Sequence, residues 1–427
     1  MKPDIKRGNN RSSKLLLPCC LTILALLIAT HVKSQVLSLD SVFSMIERRN
    51  PMLKEYDYKI RAFDEYSNGA RSWMAPMVGA GTFMTPYPKQ MLMDDRDKGA
   101  WMFSIEQEIP NPAKQNANRN FLQSRADVEK QSRATQFNEL RSEAKLSYYH
   151  WLVAEKKISV LKQNAKIMEL VLKLAAIRYP YNQGSLGNIY KAEGRLAQVQ
   201  NMLMTTRSDV KENSFRLKAL MDLAPSDSIM IDTAMATAFE PLEIMYDTAA
   251  LSAQRSDIRG IDETIEVMQL NQLLQRFQAK PDFKIRFDHM QPVGNMPSQF
   301  SAMAMISIPI APWSSKMYKS EVKGMQYEIE AMKRRRKAIL SEARGRIAGL
   351  ASEISTMHQE LDNYEKKIIP ALRKNYETIM LAYEENREQL PMVIDAWEAM
   401  NMVQMEYLEK LDEHYSMIVS YEKELEK

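Results

Sequence analysis

Cysteine is nearly absent from this chain: Cys19 and Cys20 are the only two, and both lie in an N-terminal apolar stretch. Once that stretch is removed, disulfides, thiol catalysis and cysteine-based metal sites are excluded. Glycine is scarce, 13 of 427 residues, and no Ser/Gly/Pro-rich segment marks a linker between domains. Of the five histidines, only His150, His289, His358 and His414 lie beyond residue 34. They are isolated along the chain, so satisfied or exposed imidazoles are expected rather than a ligand set. The metalloprotease helix motif, the phosphate-binding glycine loop and the dinucleotide fingerprint are all missing. Carboxylates are dense on the helical segments, as solvated surfaces require. The sequence therefore assigns no catalytic residue, no resident metal and no cofactor.

The N-terminus sets the compartment. Lys2, Lys6, Arg7, Arg11 and Lys14 precede an apolar run from Leu15 to about Thr30, with small or permissive residues at Val32 and Ser34. Charge, length and cleavage site are those of a secretory signal peptide spanning 1–34, too short for a transmembrane anchor. The two cysteines stand at the front of the run, whereas a lipid-anchored cysteine follows it. Removal of 1–34 takes away six basic residues and Asp4, leaving 52 Lys+Arg against 53 Asp+Glu from the full 58 and 54. Nothing remains to steer the chain toward nucleic acid. The one basic cluster, Lys333 to Lys337, sits among Glu328, Glu330 and Glu342 and reads as a solvated helix face.

Two long glycine-poor segments dominate what is left. From Pro112 to about Tyr179 apolar residues recur at helical spacing without a glycine, and the same pattern runs from Pro312 to about Tyr383, with a kink expected at Pro370. Each extends roughly 100 Å at about 1.5 Å per residue. The returning helices, 188–224 and 391–426, are about half as long. Adding the helical stretches 241–278 and 38–72 makes each return path as long as its descent, with the last helix continuing the path of the first. Asn50-Pro51 is a helix start signal within 38–72. Such a structure closes on itself without a conventional core, as an elongated helical barrel does; a coiled-coil scaffold is the other arrangement.

Four short strands separate these arrangements. Asp282 to Asp288, in a strand expected over 282–290, alternate polar and apolar without a fault, and strands with the same two-residue period are expected over 299–310, 100–110 and, most weakly, 75–86. Strands of about ten residues with a two-residue period suit a transmembrane β-barrel, apolar face to lipid and polar face to lumen. Two hairpins of a soluble sheet with one wet face is the alternative. Four strands cannot close a barrel, for which about eight are the minimum, and every edge in a bilayer must be paired. Spanning therefore requires oligomerisation, and a water-filled pore favours three chains and twelve strands.

The chain also says nearly the same thing twice. Tyr179, Asn182, Leu186, Ala192, Val199 and Gln200 recur 204 residues later as Tyr383, Asn386, Leu390, Ala396, Val403 and Gln404, and Pro112 has its counterpart in Pro312. Two structural repeats, 35–230 and 231–427, are expected. This duplication, the strand–strand–long-helix order, the Glu108-Ile109-Pro110-Asn111-Pro112 run before the first long helix and the two helix-turn regions beginning at Arg178 and Ala382 resemble the TolC family of outer-membrane efflux proteins. The resemblance implies a mainly α fold with a transmembrane β-barrel portion, four strands per chain, and a homotrimer with a twelve-stranded barrel over a periplasmic helical tunnel. It also implies partners: outer-membrane lipid, a periplasmic adaptor and an inner-membrane pump of RND or ABC type. A polypeptide secretion duct has the same architecture, and a periplasmic coiled-coil scaffold lacks the channel.

The resemblance further places Tyr179, Asn182, Gly184, Ser185, Leu186, Tyr383, Asn386 and Leu390 at the periplasmic tip that meets the adaptor. Family members usually carry glycine where Asn182 and Asn386 stand, and asparagine is the next residue best able to adopt left-handed dihedrals. Acidic residues near the second turn form a ring at the closed end of such tunnels. Asp395 matches one of these positions, while Met392 and Asn188 stand where acids are expected, so a thinner ring is implied. Methionine is abundant, 31 residues. Methionine sulfur suits soft metals; with His289, Met290 and Met296 near a strand turn and Met303 and Met305 on the lumen face, the resemblance to metal-exporting members of the family implies a soft-metal cargo, whereas Met400, Met402 and Met405 follow the spacing of core filler.

Overall fold

The computed structural model describes residues 35–92, 94–182, 184–233 and 248–427. The signal peptide expected over 1–34, Gln183 of the first turn and the start of the helical stretch expected from 241 lie outside the described residues. Elements follow in the order β1 (Gln35–Leu37), α1 (Leu39–Arg49), α2 (Pro51–Gly69), β2 (Met77–Phe83), β3 (Ala100–Ile109), α3 (Pro112–Arg178), α4 (Leu186–Leu220), β4 (Ile229–Ile231), α5 (Thr248–Gln254), α6 (Ser256–Phe277), β5 (Phe283–Pro292), β6 (Gln299–Ile306), α7 (Pro312–Asn363), α8 (Ile369–Glu384) and α9 (Leu390–Glu424).

Proline and asparagine set the long helices. Pro112 stands in the first turn of α3 and the Asn111 side chain caps it, accepting from the Ala113 amide at 3.0 Å. The Asn111 amide also donates to the Pro281 carbonyl at 3.1 Å, which fixes the start of α3 against the entry to β5. The 67 residues of α3 run roughly 100 Å. The second descent departs from regular α-helix beside Pro370. It breaks just upstream into a five-residue π turn, Tyr364–Ile368, because Pro370 lacks an amide and its ring crowds the carbonyl four residues back.

The path of the returning helices differs from the expectation. Helix α2 starts where α4 ends: the buried Asn50 accepts from the Met52 amide at 2.9 Å as N-cap and donates to the Leu220 carbonyl at 2.9 Å. One side chain thus satisfies an orphan donor of one helix and an orphan acceptor of the other. Helix α6 likewise starts where α9 ends. Arg255 donates to the Glu424 carbonyl at 3.0 Å, and the Ser256 amide donates to the Glu426 carboxylate at 2.8 Å. The last helix is therefore continued by α6, not by the first helical stretch.

The core follows α3, whose buried stripe from Leu140 through Leu152, Leu161 and Met168 packs against α4 on one side and α9 on the other. Near the middle of α3, the parallel pair β1–β4 is tied down by Tyr148. Its hydroxyl lies within hydrogen-bond distance of the Leu37 and Asp232 carbonyls and accepts from the Asp232 amide.

The remaining strands form one antiparallel sheet in the order β2-β3-β5-β6. The β3–β5 register pairs all ten residues, Ala100 with Pro292 through Ile109 with Phe283, so β5 runs two residues beyond position 290. Strand β6 ends at Ile306, before Ile308 and Ile310. The Ser307 amide makes a last bond to the Asp282 carbonyl at 2.9 Å, and Pro309 has no amide with which to continue the ladder. β2 is also shorter than expected, since Pro76 precedes it and Met84 turns to a φ of 50° directly after it.

Candidate functional site: the sheet faces and the hairpin tips

The two faces of the four-stranded sheet are sorted by chemistry. Val78, Trp101, Phe103, Ile105, Phe283, Ile285, Phe287, Phe300 and Ile306 are exposed on one face, with Phe287 and Phe300 stacked at 5.8 Å. Glu106, Glu108, Lys284, Arg286 and Asp288 lie on the other, which is more covered. There Lys284 reaches Glu106 at 3.3 Å and Glu108 at 3.9 Å, and Arg286 pairs with the buried Asp288 at 2.8 Å. A sheet packed on an aqueous protein's core buries its apolar face; this one covers its charges and exposes its aromatics. The face sorting places His289 and Met290 on opposite sides, His289 opposite Phe103 and Phe300, and Met290 opposite Met102.

At the far end of the helices, both hairpins close through left-handed asparagines. Asn182 has φ 56° after the short 3-10 turn Tyr179–Tyr181, and Asn386 has φ 60°. Around Asn386 the amide of Arg387 bonds the Ala382 carbonyl at 2.8 Å and the Asn386 amide bonds that of Tyr383 at 3.0 Å, which is the paired-bond helix stop of a Schellman motif. Arg178 joins the two turns. Its guanidinium donates to the Tyr383 and Glu384 carbonyls at 2.7 and 2.9 Å and lies 4.2 Å from the centre of the Tyr383 ring. Burial pushes the Tyr383 phenol up, with Arg178 opposing.

Between the turns lies a cavity of about 720 Å³ lined by Arg178, Asn182, Gly184, Ser185, Asn188, Tyr383, Asn386 and Leu390, among others. Tyr179, Asn182, Gly184, Ser185, Leu186 and Asn386 are exposed, whereas Tyr383 and Leu390 are buried. Those two support the turns from within. Tyr181, which sequence reasoning passed over, is among the most exposed side chains of the tip at 74%.

Asp395 is not a lone carboxylate. Lys191 of α4 reaches it at 2.8 Å, and one turn further Arg195 reaches Glu398 at 2.7 Å. These two ion pairs tie α4 to α9, helices that otherwise scarcely touch. Met392 is exposed beside them, and Asn188 is half-buried in the cavity wall.

Three of the four histidines have a titratable partner in space. His150 of α3 bonds Asp412 of α9 at 2.7 Å, and this carboxylate lifts its pKa above the ordinary imidazole value. His414 and His358 face each other with ring centres 6.1 Å apart. Burial, with His358 adding to it, holds His414 below the ordinary value, and its Nδ1 is buried with no hydrogen-bond partner. Periodicity could not reveal these pairs, because each joins residues on different helices. Among the described residues no group of His, Cys, Asp or Glu could hold a metal, and no helix is long and apolar enough to cross a membrane. In the basic cluster Arg336 pairs with Asp262 at 2.7 Å and Lys333 with Glu330 at 2.8 Å.

No family model matches the chain, and no curated protein matches it in sequence. Solved structures match it in shape. The outer-membrane channel OprN is 13% identical and superposes over 91% of this chain and 89% of its own with a TM-score of 0.73. CusC, described by its transmembrane channel formation, is 10% identical over 91% of both chains with a TM-score of 0.72. The outer-membrane protein VceC of Vibrio cholerae is 12% identical over 91% of this chain and 95% of its own, with a TM-score of 0.70. Superposing on these channels over nearly its full length, this chain has the fold of the TolC-type outer-membrane channels.

Proposed function

We propose that the chain is one protomer of a homotrimeric outer-membrane exit duct, built from two copies of one strand–strand–helix unit, 35–230 and 231–427. The observation that carries this reading is the inverted sheet, with aromatics outward and charges covered. In lipid the outward band lies against acyl chains, and the covered face lines water. Strands β2 and β6 are the free edges of the sheet order. Pairing β6 of one protomer with β2 of the next satisfies both edges, and three protomers close twelve strands.

The helices then descend into the periplasm. At their tip the exposed Tyr179, Tyr181, Asn182, Gly184, Ser185, Leu186 and Asn386 present the surface for a periplasmic adaptor, and Tyr383 and Leu390 hold its shape. An inner-membrane pump supplies the energy. Asp395, with Met392 and Asn188, forms the constriction. Its charge is shared with Lys191, so opening requires separation of α4 from α9 at the two ion pairs.

The test is membrane fractionation, detergent sizing and planar-bilayer conductance of the processed protein. An outer-membrane trimer with low conductance that rises in K191E supports the duct and its gate. Release by carbonate with no conductance refutes the barrel and leaves the helical scaffold.

A further inference from the structure

The processed chain carries nearly equal numbers of acidic and basic residues, yet just below the sheet they sort to opposite flanks of α7. Lys316, Lys319 and Lys323 recur at three- and four-residue spacing, so they share one flank, and all three are exposed. Glu321 and Glu328 take the other. Helix α7 turns its buried side to α6: the Gln272 side chain donates to the Val322 carbonyl at 2.8 Å, and Ile329 packs on Ile261 and Ile265. Strand order tells which flank is outward. Ser307 follows the outward Ile306 and is therefore an inward residue, and its amide reaches the Asp282 carbonyl. Seen from the aromatic face with the helices below, this puts β6 to the left of β5. A right-handed helix descending from β6 with α6 on its right carries the three lysines to the outward side and the two glutamates to the inward side.

Helix α6 adds a fourth cation. Arg276 stands one turn beyond Gln272, at the level of Lys319, and is exposed. None of the four has a carboxylate within ion-pair distance among the described residues. Lys319 reaches the Ser315 hydroxyl at 3.1 Å and Arg276 the Gln272 side chain at 3.4 Å. Further down α7, by contrast, Lys333 is matched by Glu330 and Arg336 by Asp262. Directly above the four cations, Ile308 and Ile310, 68% and 67% exposed, continue the apolar band, and Trp313, 85% exposed, stands at its lower edge. Tryptophan is favoured where acyl chains give way to headgroups. From Lys316 to Lys323 α7 descends about 10 Å. A headgroup layer is about 5–8 Å thick on each side of the hydrocarbon, and lysine stems are long enough to reach up into it.

We propose that Arg276, Lys316, Lys319 and Lys323 form a collar that binds the phosphate groups of anionic phospholipids in the leaflet nearest the helices. Ammonium and guanidinium donors make charge-assisted hydrogen bonds to phosphate oxygens, and an anionic lipid surface attracts each cation held beside it. The place of the collar at a leaflet rests on the duct reading; its attraction to anionic lipid does not.

The probe is phosphatidylglycerol. The processed protein is reconstituted in phosphatidylcholine bilayers, and spin-labelled forms of the two lipids are compared by electron spin resonance for their share of the motionally restricted lipid at the protein surface. The wild type favours phosphatidylglycerol about threefold at low salt, and about 1 M salt, which cuts the screening length to about 3 Å, removes most of this preference. R276Q/K319Q/K323Q brings the ratio to about one. K333Q/K337Q, the same kind of change about 15–20 Å further down α7, keeps it. If the triple variant misfolds, K319Q/K323Q takes its place and lowers the preference at least about twofold. Equal preference in wild type and variant overturns the collar. So does a variant that sizes as a monomer where the wild type is a trimer, because the cations then meet a neighbouring copy. Conductance of the same preparations separates the two readings. A conducting trimer without lipid preference refutes the collar and keeps the duct. A non-conducting protein that floats with phosphatidylglycerol vesicles, and no longer does so in the variant, upholds the collar and removes the duct; one that floats with neither lipid removes both.

Discussion

Asn50 offers the sharpest test of how the helical paths are joined. It is 4% exposed, so water cannot replace either of its bonds, and both are 2.9 Å long. Asn50→Ala removes the N-cap of α2, worth about 1 kcal/mol, and leaves the Leu220 carbonyl unpaired, at about 1–3 kcal/mol. Together these give about 2–4 kcal/mol, since the two groups belong to different helices. Asn50→Ser keeps the cap and loses only the carbonyl bond. Asn50→Asp is the discriminating variant. Aspartate caps as well as asparagine, but it sets a carboxylate oxygen against the Leu220 carbonyl, so the junction is weaker in N50D than in N50S. Hydrogen exchange of peptides covering 50–56 and 217–223 reads this directly. At a factor of ten per 1.4 kcal/mol, N50A exchanges roughly 30- to 700-fold faster at both helix ends, provided the two ends open together as one local unit. Equal protection of N50D and wild type, or loosening confined to 50–56, would refute the dual role and with it the α4–α2 junction.

Two further outcomes follow from the sheet faces and the buried histidines. Phe287→Arg places a charge on the outward band and costs about 2–4 kcal/mol near the bilayer centre, whereas Met77→Lys stands opposite Glu106 and leaves assembly intact. Yields of folded trimer in the outer membrane check this, and equal yields sink the lipid-facing assignment. His150 has a folded pKa raised by Asp412, so the pair stabilises the fold fully below the unfolded imidazole pKa, about 6.5, and loses that contribution as pH rises through the folded value. The deficit of D412N in thermal stability is therefore larger at about pH 5.5 than at about pH 9. A pH-independent deficit contradicts the assignment. His414, whose pKa is lowered, bends both curves the opposite way and cancels in the difference.

Much of the fold was legible because local chemistry enforces it. Pro112 and Asn111 start a helix wherever they stand, two-residue alternation has one use in a strand, and a left-handed asparagine ends a helix. What could not be read was which end meets which. The Asn50–Leu220 and Ser256–Glu426 contacts join residues about 170 apart, and no local period encodes such a distance. The partner of Asp395 was nearer to hand. Lys191 occupies the same repeat position, 204 residues earlier, with the opposite charge, so the duplication that placed the two turns also carried the ion pair between them.

The π turn has a consequence for how the second long helix is wound. Leu340, Ile347, Ile354 and Leu361 are buried at seven-residue intervals, the heptad beat of a left-handed supercoil. After the break the beat resumes at Tyr376 and Tyr383, one residue late. A single extra residue in a continuous α-helix would swing this stripe by about 100° away from its partner helices. Taking the extra residue into one wide turn confines the phase slip to Tyr364–Ile368, and the supercoil continues below it in step. The break is thus a skip residue that keeps two coiled-coil segments facing the same neighbours. Deleting one residue there restores an unbroken seven-residue count from Leu340 to the tip.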